Sequence, residues 1–294
     1  MIDVAKRAMA HVERLCVDIG PRPTGSPGNQ AAADHIAQVF QQAGLAVERQ
    51  GFDCLGWEHE GTVLEWGGRR LEAEANWRSL PCDVTGDLAP VGTVAGLAQA
   101  DLAGRVAVLH GALTREQLFP RTSTVYYPEE HRRINDLLDE KRPAAVITVC
   151  PIARAIRHVI NDPDMPIPSA TVPPEVGLQL VRHAGERARL RIAATRSAGR
   201  SCNVVGTRPG AGPERIVICA HYDTVWGTPG ANDNASGVGV LLTLAELLAG
   251  RQLDCGLELV AFSAEEFGGQ GELAYLASYG LQEVPVRWGQ TVGE

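Results

Sequence analysis

Ala220-His221-Tyr222-Asp223, followed by Gly230-Ala231-Asn232-Asp233-Asn234-Ala235-Ser236-Gly237, is the stretch on which the reading of this chain turns. Ile216 to Cys219, just before it, is a short apolar, β-branched run and reads as a buried strand. His221 and Asp223 stand just past that strand's end, two residues apart and on the same side of an extended chain. Asp233 lies in a Gly/Asn-rich loop that opens a helix, for which Ser236 is the expected cap. A second apolar strand, Leu257 to Phe262, ends in Ser263-Ala264-Glu265-Glu266. One imidazole and several carboxylates thus gather at the carboxyl ends of neighbouring strands, where open α/β sheets place their sites. Imidazole with carboxylates is a ligand set for zinc or a similar divalent ion. Taken singly, each reads as a solvated loop charge; the combination at successive strand ends reads as a metal site.

Outward from this stretch, the chain shows helical and strand periods in turn. Asp3 is placed to cap a first helix with Val4, Ala8, Val12 and Leu15 on one face and Gly20 as its stop. The turn-rich run Gly20-Pro21-Arg22-Pro23-Thr24-Gly25-Ser26-Pro27-Gly28 follows, with Ser26 capping and Pro27 opening the next helix. Ala32, Ile36, Val39, Phe40 and Ala43 form its apolar stripe, and Leu45 to Phe52 reads as a strand. From Leu55 to Ala198 the character changes to short β-like pieces with Gly/Pro punctuation. Strands are expected at Thr62 to Trp66, Val84 to Leu88, Arg105 to His110, Ala144 to Cys150 and Arg189 to Ala194. Helices are expected at Pro128 to Lys141 and Pro174 to His183, with a proline-rich turn at Pro166 to Ser169 between them. Thr195 to Arg200 reads as a linker back to the first domain. In this middle part His158, Asp162 and Asp164 read as chance loop charges, and Tyr126 and Tyr127 as either cleft-lining or packing residues.

The 294 residues suffice for one large or two medium domains, and 45% hydrophobic content is that of a globular protein. A net charge of −8 argues against nucleic acid as the partner. No apolar run approaches the length of a membrane span, and the N-terminus has early charges in place of a signal-peptide core. Seven scattered cysteines read as reduced thiols, so a cytoplasmic location is expected.

HYDTVWGTPGANDNASGVGVLL from His221 and VAFSAEEFGGQGELAYL from Val260 together resemble the core of the co-catalytic zinc metallopeptidases. That family includes the aminopeptidase Y-like, aminopeptidase S-like and glutamate carboxypeptidase II-like enzymes. The resemblance implies a mixed-sheet α/β sandwich of the phosphorylase/hydrolase-like type, formed by residues 1–58 and 200–294. Residues 59–199 resemble the protease-associated (PA) domain often inserted in such enzymes, with a β-rich fold. It implies two zinc ions, with His221, Asp233 and Glu266 as metal ligands and Asp233 bridging. Glu265 resembles the general base and Asp223 the carboxylate that orients His221. The family pattern continues with a further aspartate and histidine ligand, and residues 267–294 contain neither. The expectation is therefore a catalytic domain truncated at its C-terminus, holding zinc weakly. The expected activity is that of an aminopeptidase acting on peptides, with little or no turnover from the 294-residue chain itself. Two alternatives stay open: a catalytically silent homologue acting as a binding module, and a related carboxypeptidase or amidohydrolase.

Overall fold

A computed structural model describes residues 3–121, 126–153 and 156–279. In chain order the elements are α1 (Val4–Glu13), α2 (Pro27–Gln42), β1 (Ala46–Trp66), β2 (Arg69–Leu71), β3 (Glu74–Ala75), β4 (Cys82–Val91), α3 (Val94–Gln99), β5 (Val106–Leu109), α4 (Glu129–Lys141), β6 (Ala145–Val149), β7 (Ser169–Val172), α5 (Pro174–Arg182), β8 (Arg187–Arg208), β9 (Arg215–His221), α6 (Ser236–Leu248), β10 (Gly256–Phe262) and α7 (Gln270–Ser278). They form two units, Met1–Gly56 with Ser197–Glu294, and Trp57–Arg196. No helix among the described residues is long and apolar enough to cross a membrane.

In the first unit β10 is the central strand, parallel to β9 and antiparallel to the second half of β8. Its side chains alternate between two faces, as the pleat requires. Leu257, Leu259 and Ala261 join a core with Leu15, Ile36, Phe40, Tyr222, Val238, Leu241 and Leu242, contributed by helices α1, α2 and α6 and their flanks. Val260 and Phe262 face the other way, against Val205 and Tyr275 of α7. Asp3 accepts a bond from the Lys6 amide at 3.3 Å and caps α1. The chain continues past α1 as a π-helical turn, Arg14–Ile19, which Gly20 ends at φ 82°. Ser26 accepts from the Asn29 amide at 3.1 Å, and Pro27 opens α2.

Four local expectations are corrected. The strand expected from Leu45 to Phe52 begins at Ala46 and runs on to Trp66. Thr195 to Arg200 is not a linker but part of the continuous strand β8, because its alternating residues keep an extended period through the glycine. Ser169 does not end a turn; it begins β7. Ile216 and Val217 are 53% and 45% exposed, so the start of β9 is not buried. Among the described residues β9 pairs only with β10, which leaves this end at a sheet edge. An apolar run alone does not separate an edge strand from a central one.

In the second unit β4, β5, β6 and β7 run parallel, with β3 antiparallel to β7 and the first half of β8 antiparallel to β4. The parallel strands read as continuous apolar runs because both faces are covered, and Val106 to Leu109 are fully buried. Leu97, Leu102, Leu109, Ile134, Leu137, Leu138 and Val146 form the core on the side of α3 and α4.

Candidate metal centre

Strand β9 ends at His221, and the next residues, Tyr222 and Asp223, are buried. The Tyr222 hydroxyl donates to the Cys202 carbonyl at 2.6 Å and fixes the strand end to β8. Asp233 reaches the same place from a loop. Gly230 takes the left-handed conformation there, at φ 57°, and a Cβ on it would lie 2.4 Å from Thr224 Cγ2. The peptide bond between Asp233 and Asn234 is cis. The expected Ser236 cap is replaced: the Asn234 side chain accepts from the Gly237 amide at 2.9 Å, while Ser236 donates back to the Asn232 carbonyl at 2.8 Å. Ser236 already has helical dihedrals, whereas Asn234, at φ −132°, is still outside the helix and free to cap it.

His221 Nε2 lies 2.8 Å from Asp233 Oδ1, and its Nδ1 lies 3.5 Å from Asp223 Oδ1. Glu265 Oε2 is 3.9 Å from the same Nε2. Asp223 does more than face the imidazole. Its two oxygens accept the backbone amides of Glu265 and Glu266, each at 3.2 Å, and the Thr24 hydroxyl at 3.1 Å. One buried carboxylate thereby joins the end of β9, the loop after β10 and the segment before α2. Ala264, between the strand and the two glutamates, sits at φ 63°, a left-handed conformation that costs a non-glycine residue about 1–2 kcal/mol.

The electrostatics of the cluster fit a divalent ion. Burial, then the charges of Asp223, Asp233 and Glu265, push the Glu266 carboxyl up to about 8. For His221, burial disfavours the charged ring, but Asp223, Asp233 and Glu265 outweigh it and raise the ring to about 11. Asp233 is held below the usual carboxylate range by its bond to His221. Asp223, Asp233, Glu265 and Glu266 thus cluster with one imidazole, a set of oxygen and nitrogen donors of the kind zinc takes. Among the described residues no three His, Cys, Asp or Glu side chains already enclose a single ion position; the pair in direct contact is His221 and Asp233.

Several residues that hold this site escaped the sequence reading. The buried guanidinium of Arg22 donates to the carbonyls of Tyr222 and Pro229 at 2.8 Å and of Leu15 and Gly20 at 2.9 Å. Asn29, Ser201 and Ser263 form a buried triangle of hydrogen bonds, with Ser201 Oγ 2.7 Å from Asn29 Oδ1 and 2.8 Å from Ser263 Oγ. For Arg22 the sequence offered the density of turn formers and the resemblance of Arg22-Pro23-Thr24-Gly25-Ser26 to the arginine-threonine-glycine-serine segment near the start of the family's domain, read as structural; neither names its partners. The middle-part candidates have partners within their own unit. Asp162 pairs with Arg121 at 2.7 Å, and His158 faces Glu74 at 3.3 Å. The Tyr127 hydroxyl accepts from Asn135 at 2.8 Å, and Tyr126 is exposed and stands edge-on to Phe119.

Comparison with known proteins agrees with this geometry. Residues 203–286 match the profile of peptidase family M28. "Probable lipoprotein aminopeptidase LpqL" of Mycobacterium tuberculosis is 30% identical over 284 residues, covering 92% of this chain and 54% of the relative. Aminopeptidase YwaD of Bacillus subtilis is 27% identical over 284 residues, covering 92% of this chain and 57% of the relative. Among solved structures, BSAP, a zinc aminopeptidase from Bacillus subtilis, superposes with a TM-score of 0.75 at 26% identity, over 93% of this chain and 64% of that one. The aminopeptidase from Aneurinibacillus sp. strain AM-1 gives 0.69 at 27%, over 93% and 66%. The fold is that of the M28 zinc peptidases, and residues 203–286 carry the sequence pattern of that family. The chain spans about half the length of the curated relatives it matches.

Proposed function

We propose that this chain carries the metal site of a zinc-dependent aminopeptidase that removes residues from the N-termini of peptides. The observation that carries the reading is the contact of His221 Nε2 with Asp233 Oδ1 at 2.8 Å, with Asp223 behind the ring and two glutamates at the next strand end. In this reading His221, Asp233 and Glu266 hold zinc, with Asp233 shared between two ions. Zinc, when bound, polarises a scissile carbonyl and makes water a nucleophile at neutral pH. Asp223 orients the His221 ring and, through the amides it accepts, the two glutamates. Glu265, whose side chain is 39% exposed, is the general base: its carboxylate takes the proton from the attacking water and returns it to the leaving amine. The Trp57–Arg196 unit is read as an inserted domain of the protease-associated type. Buried thiols such as Cys150 and Cys202 fit a reducing compartment, the cytoplasm.

The test is metal analysis of dialysed protein beside hydrolysis of a panel of aminoacyl-anilides. Zinc bound weakly by the wild type and measurable at added zinc, lost in His221→Ala, and kept in Glu265→Gln without whatever turnover the wild type shows, is the expected pattern. Zinc retained with no hydrolysis by the wild type would turn the reading toward a binding module. Zinc binding that His221→Ala leaves unchanged would sink the site assignment.

A further inference from the structure

A charged residue sits where the fold calls for an apolar one. Glu258 is in the middle of β10, opposite Val217 of β9 and Thr207 of β8, and its side chain is fully buried. It points to the face that carries Val260 and Phe262. A buried carboxylate there is costly unless donors satisfy it. It has three. The hydroxyls of Tyr275 and Tyr279 both donate to Oε1, the second at 2.8 Å, and Arg215 Nη1 donates to Oε2 at 2.7 Å. Tyr275 and Tyr279 are one helical turn apart, so both reach the same carboxylate from one face. Their rings meet at 5.0 Å, the Arg215 guanidinium covers the Tyr279 ring at 5.0 Å, and Tyr275 stands edge-on to Phe262 at 5.4 Å.

Among the described residues, little else fixes the place of helix α7. Its buried residues are only Gly271 and Glu272, and Leu273 is 49% exposed, so no apolar stripe seats it. Its N-terminal end is held close to β10: Asn203 Nδ2 donates to the Gly271 carbonyl at 2.7 Å, and a Cβ on Gly271 would fall 2.0 Å from the Ser263 carbonyl oxygen. That end is continuous with the glutamate loop. The Gly269 amide donates to the Glu265 carbonyl and the Gln270 amide to the Ala264 carbonyl, both at 3.0 Å. A helix of nine residues, about 13 Å long, therefore links the Glu258 cluster to Glu265 and Glu266 as a rigid lever.

We propose that Glu258, with Tyr275, Tyr279 and Arg215, is a positioning clamp that sets the Glu265–Glu266 loop through α7. An apolar residue at position 258 would dock the helix at a lower desolvation cost but would let it slide or turn. Two phenols and a guanidinium on one carboxylate permit a single register. The role in the site rests on the reading of Glu265 and Glu266 given above; the mechanical link does not.

The test is hydrogen–deuterium exchange on the metal-free full chain, followed by zinc affinity on the same proteins. Two variants are compared: Tyr275→Phe with Tyr279→Phe, and those two changes together with Glu258→Met. The second removes the carboxylate and both hydroxyls together, and the Arg215 guanidinium that remains is half-exposed, so no charge is left buried and unpaired. The expected result in both is exchange about tenfold faster at the amides of Glu265, Glu266, Gly269 and Gln270, with Leu259 and Val260 of the ladder unchanged. Zinc binding is expected to weaken by about the same factor. Exchange that rises only from Ala274 to Ser278, or equally across the ladder, in the variant carrying Glu258→Met overturns the clamp. A wild type that binds no zinc defeats the site reading, while the exchange result still decides the clamp.

Discussion

The guanidinium of Arg22 touches no candidate ligand, yet its hydrogen bonds tie the end of the first helical segment, the strand end at Tyr222 and the loop before Asp233 to one another. A lysine there has no planar fork and leaves several of these carbonyls without a donor. Arg22→Lys is expected to destabilise the unit by roughly 3 kcal/mol, measured by urea unfolding, and to weaken zinc binding because the Asp233 loop is freed. Asp223 is the second such residue. Asparagine keeps the shape but offers one acceptor oxygen in place of two, so the amide of Glu265 or Glu266 is lost as a partner. Asp223→Asn is expected to lower zinc affinity about 10–100-fold in a chelator competition, with a much smaller effect on the unfolding midpoint. Unchanged affinity would remove Asp223 from the role given to it.

At the scale of elements, the layer of α1, α2 and α6 carries a titratable pair. His11 and His35 lie with ring centroids 5.6 Å apart, and His11 Nε2 is 3.4 Å from Glu246. Burial lowers both imidazoles below their ordinary 6.5; Glu246 partly offsets this at His11, and at His35 the charges of His11 and Arg14 add to it. A histidine with a depressed folded-state pKa binds its proton more readily in the unfolded chain. Stability is then full above 6.5 and falls as pH drops below it. Glu266, raised to about 8, acts in the opposite sense over the same range, so the pair is read by difference: the melting temperature of His35→Gln relative to the wild type is expected to rise from pH 7.5 to 5.5, and a constant difference would show that the pair does not contribute. Helix α6 offers a local check. Asn234→Ala removes the cap on the Gly237 amide and is expected to cost about 1 kcal/mol, whereas Ser236→Ala costs less, reversing the order the sequence suggests.

At the scale of the molecule, the two units have separate cores, one around Phe40, Leu241 and Leu259 and one around Leu109, Leu137 and Val146. Leu109→Ala and Leu241→Ala each open a cavity in one core only, at an expected cost of about 2–5 kcal/mol. Calorimetry is expected to show each substitution lowering mainly the transition of its own unit. Zinc affinity at 25 °C is expected to fall with neither, as long as the protein stays folded. A single transition shifted equally by both would mean that the units unfold as one.

What the sequence determined by itself was the α/β class, the strand ends at His221 and Phe262, and the residue types gathered there. These follow from hydrophobic period and from residue chemistry, which are local properties. The placement of α2 after Ser26 and Pro27 was legible for the same reason, since a cap acts within three residues. What only the tertiary structure decided is how the site is held. Arg22 meets Pro229 across 207 positions, and Asn29 meets Ser263 across 234. No local signal encodes such a partner. The exposure of Ile216 was equally hidden, because β-branched residues suit an edge strand and a central one alike, and pairing alone separates them. Glu258 lies within the run Leu257 to Phe262 that reads as apolar, and only the tertiary structure brings two tyrosines to it. Chemistry was written in short spacings that survive in one dimension; the geometry that aims it depends on contacts that exist only once the chain has closed.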